Sequence, residues 1–253
     1  MVWNRGKPQK NYLYMASKHI KKIHPTGNEG KMSIIIPAAG LGRRMKSRGP
    51  KPLIKIKQNT SILQNQILNI EDAFNHPQIV LVSGFEADKV MNESPDNLIK
   101  IENESYEDTN VARSIGAALR AISSAERVLI IYGDLVFNEK ALEVLDYSSS
   151  SLFIVGNFIG EEEVGCVVNQ KGNLENMMYD LPDKWSQIAY FQDAELDYLK
   201  QIVWNKNNSR LFGFEVINKI IEKGGKFKCE YAKDIKIVDV DTSKDIQKAR
   251  QII

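Results

Sequence analysis

From Ser33 onward, short runs rich in aliphatic and β-branched residues alternate with segments whose apolar residues recur at helical spacing. Few folds accommodate that alternation. A short apolar run bounded by turn residues makes a buried strand, and an amphipathic helix between two such strands carries the chain back across one face of the sheet, so the joined strands run parallel. Ser33–Ala38, Gln78–Ser83, 98–102 and 127–132 read as strands. Segments 61–74 and 110–123 read as helices. The first places Ile62, Leu63, Gln66, Ile67, Ile70 and Phe74 near one face, and the second does so with Val111, Ile115, Ala118, Leu119 and Ile122. The predicted fold is α/β, a Rossmann-like, doubly wound, mostly parallel sheet, whose ligands bind beyond the carboxyl ends of the strands. After Asp134 the pattern loosens. There 152–157, 163–169 and 174–178 are expected as strands of a small antiparallel extension, 192–204 and 214–222 as helices, and 235–240 with 243–252 as a closing strand and helix.

The expected organisation is a basic N-terminal appendage at 1–32 followed by one domain at 33–253. In the appendage Arg5, Lys7, Lys10, Lys18, Lys21 and Lys22 face only Glu29. Leu13, Met15, Ile20 and Ile23 give it the modest apolar face of a short packed helix, a reading favoured over an RNA or protein tether. Across the whole chain, 34 basic and 32 acidic residues leave a net charge of +2, too little to argue for a nucleic-acid partner but no obstacle to a small anion at a local positive site. Cys166 and Cys229 match neither a C-x-x-C redox pair nor a zinc-ligand grouping, which suits a reducing compartment. No run approaches the roughly 20 apolar residues of a membrane helix. The polar start lacks the apolar core of a secretory signal. The expected location is cytoplasmic, with no membrane partner. Nothing in the sequence fixes an oligomeric state.

Chemistry concentrates at strand ends. Directly after the first strand comes Pro37-Ala38-Ala39-Gly40-Leu41-Gly42-Arg43-Arg44-Met45, and soon afterwards Gly49-Pro50-Lys51-Pro52-Leu53. Glycines let a backbone approach a polyanion and point successive N–H groups at phosphate oxygens. Arg43 adds a planar fork and Lys51 a compact cation. The arrangement lacks the third glycine of a dinucleotide fingerprint and the G-K-[ST] ending of a P-loop. A second motif, Leu129-Ile130-Ile131-Tyr132-Gly133-Asp134, ends an apolar strand in a carboxylate. A third, Ile237-Val238-Asp239-Val240-Asp241-Thr242-Ser243-Lys244-Asp245, runs from a strand into a helix. Alternation sets Asp239 and Asp241 on the same side of that strand. Thr242 or Ser243 suits the N-cap of the helix and Asp245 its first turn.

Taken together, the G-x-G-x-R-M loop followed by P-K-P-L resembles the signature of the nucleotidyltransferase superfamily, which includes sugar-phosphate nucleotidylyltransferases, phosphocholine-type cytidylyltransferases and MobA-like NTP transferases. The resemblance runs in motif order from about Ser33 to the end of the chain. It implies an enzyme that moves a nucleoside monophosphate, with CMP favoured, from an NTP to a small phosphorylated or phosphonate acceptor and releases pyrophosphate. By the same resemblance Arg43 and Lys51 are the catalytic cations. Ala38, Ala39, Gly40, Leu41, Gly42, Ser83, Gly84, Asn110, Ser114 and Gly133 line the nucleotide site. Asp134 and Asp241 hold Mg²⁺, with Asp239 as a less certain helper, because hard oxygen ligands suit that ion. Asn110 and Ser114, four residues apart, share a helical face as base readers, although Thr109 and Asn110 serve equally well as plain caps. Tyr179, Asp180, Lys184 and Arg210 fall where the resemblance places the acceptor, and Trp185 is expected to pack rather than to cage a quaternary ammonium by cation–π attraction. The alternatives are a nucleoside-diphosphate-sugar pyrophosphorylase acting on a sugar 1-phosphate and a nucleotide-binding regulatory module without turnover. His19, His24 and His76 form no triad or ligand spacing and no G-x-S-x-G elbow occurs, so hydrolase chemistry has no support.

Overall fold

The structure, a computed structural model, describes residues 31–42, 49–143, 145–156, 163–231 and 235–253. The expected appendage lies, apart from Lys31 and Met32, outside the described residues, as does Arg43. Met32 is buried in the core beneath the first helix, and its carbonyl accepts from the Gln78 amide at 2.9 Å.

Strand β1 (Ser33–Ala38) is central and buried on both faces. Ile35 enters one apolar core and Ile34 and Ile36 enter the other, as period-2 alternation in a doubly covered strand requires. Helix α1 (Ile62–Ala73) starts from a capping box in which Ser61 accepts from the Gln64 amide and Gln64 accepts from that of Ser61. It leads to β2 (Gln78–Ser83), α2 (Ala87–Glu93), β3 (Ile99–Glu102), α3 (Val111–Ala121) and β4 (Arg127–Ile131). β1 pairs in parallel with β2 on one side and β4 on the other, and β3 pairs in parallel with β2. The strand order therefore reverses between β1 and β4, and the crevice beyond their carboxyl ends is the place where such sheets bind ligands.

Then follow β5 (Leu135–Phe137), β6 (Ser151–Val155), β7 (Val164–Val168), β8 (Leu174–Tyr179), β9 (Asp183–Gln192), α4 (Asp193–Trp204), α5 (Gly213–Glu222), β10 (Lys228–Tyr231), β11 (Ile237–Asp239) and α6 (Ser243–Ala249). The main sheet runs β10-β6-β9-β4-β1-β2-β3, with β7 and β8 added beyond β9. Along this path only β9 runs against its neighbours, so the central sheet is mostly parallel. β7 and β8 form the expected antiparallel extension, and β11 pairs with β5 in a separate antiparallel ribbon.

The sequence gives no expectation of β9, a ten-residue strand at the middle of the sheet. Alternation marks a half-buried strand, and much of β9 is buried on both faces. Its pairing is also broken, because the register with β6 shifts between Leu152 and Ile154. α2, β5 and β10 were likewise not anticipated. β5 spans three residues, and pairing with a segment a hundred positions away defines it.

Two cores cover the sheet, one built with α3, α4 and α5, the other with α1. A third, smaller cluster of Ile54, Ile56, Ile62, Val136, Val240, Ile246 and Ala249 welds the segment after Lys51 to β5 and to the C-terminal strand and helix. That weld brings three motifs distant in sequence to one rim of the sheet.

Candidate active site

The loop after β1 carries Gly42 at φ +52, where an L side chain is strained. A Cβ there would also stand 3.1 Å from Cγ of Lys51, so the glycine admits the lysine stem. Lys51 opens a 3₁₀ turn, Lys51–Leu53, with Pro52 fixing its second position.

Opposite, the end of β4 is fastened from two sides. The Gly133 amide donates to the Pro37 carbonyl at 3.1 Å. Buried Gln66, on α1, donates from Nε2 to the carbonyls of Tyr132 at 2.7 Å and Leu135 at 2.8 Å. Asp134 sits at the apex of this clamped turn. The ribbon of β5 and β11 sets Asp239 against Leu135, and the Val240 amide donates to the Asp134 carbonyl at 3.0 Å. Thr242 and Asp245 then close the capping box of α6, with the Thr242 amide donating to Asp245 Oδ2 at 2.9 Å.

The result is a compact charged centre. Lys51 Nζ donates to Asp134 Oδ2 at 3.0 Å and also to Asp241 Oδ1. Carboxylate oxygens of Asp134, Asp239 and Asp241 all lie within 4.8 Å of one another. Burial alone would lower the Lys51 pKa, but the charge of Asp134 and the bond to Asp241 more than reverse this and hold the ammonium above the ordinary lysine range. Asp239 moves the other way. Burial, followed by the charges of Asp134 and Asp241, pushes it up to about 7 against the opposing pull of Lys51 and Gln187.

Oδ1 of Asp134 and Oδ1 of Asp239 are buried and have no hydrogen-bond partner among the described residues. Unpaired carboxylate oxygens beside two like charges are costly unless a cation meets them. The donor set is oxygen only, so these three residues fit a hard divalent ion such as Mg²⁺.

Two cavities meet at this centre. The smaller, about 230 Å³, is lined by Ala38, Ala39, Gly40, Gly42, Gly133 and Asp134, and farther along by Asn103, Tyr106, Asn110 and Ser114. Asn110 is the N-cap of α3, accepting from the Val111 amide at 2.9 Å, and Ser114 accepts from Asn103 Nδ2 at 3.2 Å. Neither cavity is lined by Leu41, Ser83 or Gly84. Ser83 is buried, with its hydroxyl on the Ile101 carbonyl at 3.4 Å. Gly84 lets Tyr106 pack, since a Cβ there would come within 2.7 Å of both Ala39 O and Tyr106 Cβ.

The larger cavity, about 960 Å³, opens from Lys51, Asp239 and Asp241 toward an aromatic wall of Tyr132, Trp185, Tyr179, Phe212 and Phe214, interrupted by Glu163, Asp180 and Gln187. Tyr179 meets Phe214 edge-on at 5.3 Å, and Phe212 stacks on Phe214 at 6.1 Å. Trp185 is buried, edge-on to Tyr132 at 5.6 Å. Tyr179 and Asp180 thus reach the cavity. Lys184 pairs with Glu163 at 2.6 Å, Arg210 donates from Nε to the Asp108 carbonyl at 3.1 Å, and neither lines this wall. Phe212 and Phe214 belong to the 210–215 stretch expected near the acceptor, whereas Gln66, Asn103, Tyr132, Glu163 and Gln187 are site residues that the sequence did not mark. Gln66 alone left a signal, a polar residue on the apolar face of a helix.

A glycine loop, a lysine and a carboxylate cluster thus meet at the switch point of this sheet, and comparison with known proteins shows what the chain is similar to. Residues 34–146 match the family model of the MobA-like NTP transferase domain, a stretch just short of half the chain. The bifunctional protein GlmU of Neisseria meningitidis serogroup C is 29% identical over 133 residues, covering 52% of this chain and 27% of that protein. GlmU of Thermosipho melanesiensis is 33% identical over 107 residues, covering 42% and 22%. The chain spans about a quarter of the length of these curated relatives. Among solved structures, the CTP:phosphocholine cytidylyltransferase LicC of Streptococcus pneumoniae superimposes with a TM-score of 0.72 at 17% identity, covering 88% of this chain and 99% of that one. The inositol-1-phosphate CTP transferase of T. maritima gives 0.69 at 17% identity, covering 89% and 95%. These last two share the fold. No helix among the described residues is long and apolar enough to cross a membrane.

Proposed function

We propose that the protein transfers a nucleoside monophosphate, with CMP favoured, from an NTP to a small phosphorylated or phosphonate acceptor, releasing pyrophosphate. The observation that carries this reading is the meeting of Lys51, Asp134 and Asp241 at one rim, since binding a nucleotide alone does not demand a lysine held against two carboxylates. The triphosphate would lie along Ala38–Gly42, whose amides and Arg43 take the β- and γ-phosphates. The base would lie toward Asn110 and Ser114, and Ser83 and Gly84 would support that wall from behind. Lys51 would stabilise charge growing at the α-phosphate. Asp134 and Asp241, with Asp239 beside them, would hold Mg²⁺, which when bound neutralises phosphate charge and orients the triphosphate. The acceptor oxygen displaces pyrophosphate in line and, being already ionised, needs no general base. Catalysis then rests on positioning.

The preference for CTP rests on the Thr109–Asn110 loop and on the CTP named for two proteins of this fold. In the larger cavity, Tyr179 and Asp180 would contact the acceptor, with Lys184 acting through Glu163 and Arg210 through the 108 loop. The aromatic wall and the carboxylates favour an acceptor with a positively charged end. A second reading, a sugar pyrophosphorylase, is favoured by the likeness in fold to a nucleoside-diphosphate-sugar pyrophosphorylase of Vibrio cholerae and a putative glucose-1-phosphate thymidylyltransferase of Bacillus anthracis.

The deciding experiment measures pyrophosphate release with Mg²⁺, each of the four NTPs and a panel of phosphocholine-like, phosphonate and sugar 1-phosphate acceptors. Release with CTP and an ammonium-bearing acceptor is expected. Release only with a sugar 1-phosphate selects the second reading, and nucleotide binding without release from any pair selects a regulatory module.

A further inference from the structure

Gln187 stands out in β9 because its backbone is left-handed, φ 64, in the middle of a buried strand. For a non-glycine residue that conformation carries a cost, and such strain persists where surrounding structure imposes it. Here the imposing contacts are visible. The pairing of β9 with β6 jumps from Leu152–Ala189 to Ile154–Trp185, so β9 carries extra residues at this point. The Trp185 indole donates to the Ile188 carbonyl at 3.2 Å, and the Ile188 amide donates to Ser186 Oγ at 3.4 Å, closing the bulge on itself. β9 runs antiparallel to β4, whose last residue, Ile131, faces Ile188. The bulge therefore begins just beyond the end of β4, level with the turn that carries Asp134. Bulges of this kind re-aim a side chain.

The side chain so aimed lines the larger cavity, and its Nε2 donates to Asp239 Oδ2 at 2.8 Å. That bond uses one oxygen of Asp239 and leaves Oδ1 buried and unpartnered within the carboxylate cluster.

We propose that Gln187 is a positioning residue for the metal site, the strained bulge of β9 serving to fix Asp239 so that its free oxygen faces Asp134 and Asp241. The inference rests on the metal-site reading given above and adds to it a residue that touches neither ion nor nucleotide. Partners of this kind fix the orientation of a ligand, and their loss typically costs about 10–100-fold in metal affinity. The bulge also joins the two halves of the site, since one residue lines the acceptor cavity and holds a metal ligand.

The test is Mn²⁺ binding to the full chain without nucleotide, followed by calorimetry or by the free-ion electron paramagnetic resonance signal. Gln187→Gly keeps the left-handed backbone at no steric cost and removes the amide. Gln187→Met keeps the length and removes the carboxamide, and with it the Nε2 donor to Asp239. Both should fold with wild-type circular dichroism and bind Mn²⁺ at least about tenfold more weakly. Wild-type affinity in both variants, with binding lost in Asp134→Ala, overturns the role of Gln187 alone. Wild-type affinity in Asp134→Ala overturns the metal-site reading and this inference with it.

Discussion

Lys51 and Asp134 lie 83 positions apart in sequence and meet at 3.0 Å, with Asp241 on the other side of the same ammonium. A mostly buried lysine held protonated by two carboxylates is a fixed charge, available to a developing phosphate charge without reorganisation. Lys51→Ala should lower kcat for pyrophosphate release by about 10²–10³ with the fold intact. Turnover close to wild type in a correctly folded variant would remove Lys51 from the mechanism.

Chelation probes the carboxylates. EDTA should stop pyrophosphate release and Mg²⁺ should restore it, whereas Asp134→Ala should respond poorly to Mg²⁺ at concentrations that saturate the wild type. Asp239→Asn separates two effects of opposite sign. Removing one of three crowded carboxylates relieves repulsion and should raise Tm in EDTA, while the gain in Tm on adding Mg²⁺ should shrink with the lost ligand. Equal Mg²⁺-induced shifts in wild type and Asp239→Asn would exclude Asp239 from the ligand set.

Gly133 tests the clamp between β1 and β4. A Cβ there would stand 2.6 Å from Ala38 Cβ and 3.0 Å from Ala38 Cα, so strand backbone must move. Gly133→Ala should cost about 1–3 kcal/mol, and at roughly 2–4 °C per kcal/mol for a chain of this size the loss is readable as a lower Tm. An unchanged melting curve would mean that the two loops part without strain.

The cysteines carry a pH prediction. Burial pushes the Cys229 thiol up to about 12 and raises Cys166 further, again chiefly by burial. A raised thiol pKa leaves the neutral form dominant until pH nears that value, so at pH 8 the reactive thiolate of Cys229 is about one part in 10⁴. Both residues are free and buried, and native protein should react with a disulfide reagent far more slowly than protein unfolded in guanidinium. Stoichiometric labelling of the native chain within minutes would contradict that environment.

Much of this was legible because it is local. β1 and β2 emerge at the expected bounds, α1 and α3 within a residue or two, and Thr242 with Asp245 caps α6 as its spacing suggested. Asp134 and Asp241 could be paired on paper only through a family resemblance, since the ribbon of β5 and β11 that joins them is three residues long on each side. Gln187 was out of reach for another reason. Its role comes from a bulge in a strand without alternation, and a bulge is a property of pairing with β6, which no single segment encodes.

Gln66 shows the intermediate case. On α1 it falls among Leu63, Ile67 and Ile70, where a polar side chain has no place unless it is satisfied. Its Nε2 serves the carbonyls on either side of the Gly133–Asp134 turn, and Asn69, three residues on, donates to the Phe137 carbonyl at 2.8 Å. The helix thus adds to the one bond the β4–β5 turn makes for itself, from the Leu135 amide to the Tyr132 carbonyl at 3.3 Å. Gln66→Leu preserves the apolar face and removes the amide, leaving the Leu135 carbonyl without that donor at a cost of about 1–3 kcal/mol, while the Tyr132 carbonyl keeps the Leu135 amide. Tm should fall by several degrees, and Mn²⁺ affinity should fall with it because the turn presenting Asp134 is no longer pinned. A Gln66→Leu protein that melts and binds Mn²⁺ like the wild type would show that β4 and β5 hold Asp134 without help from α1.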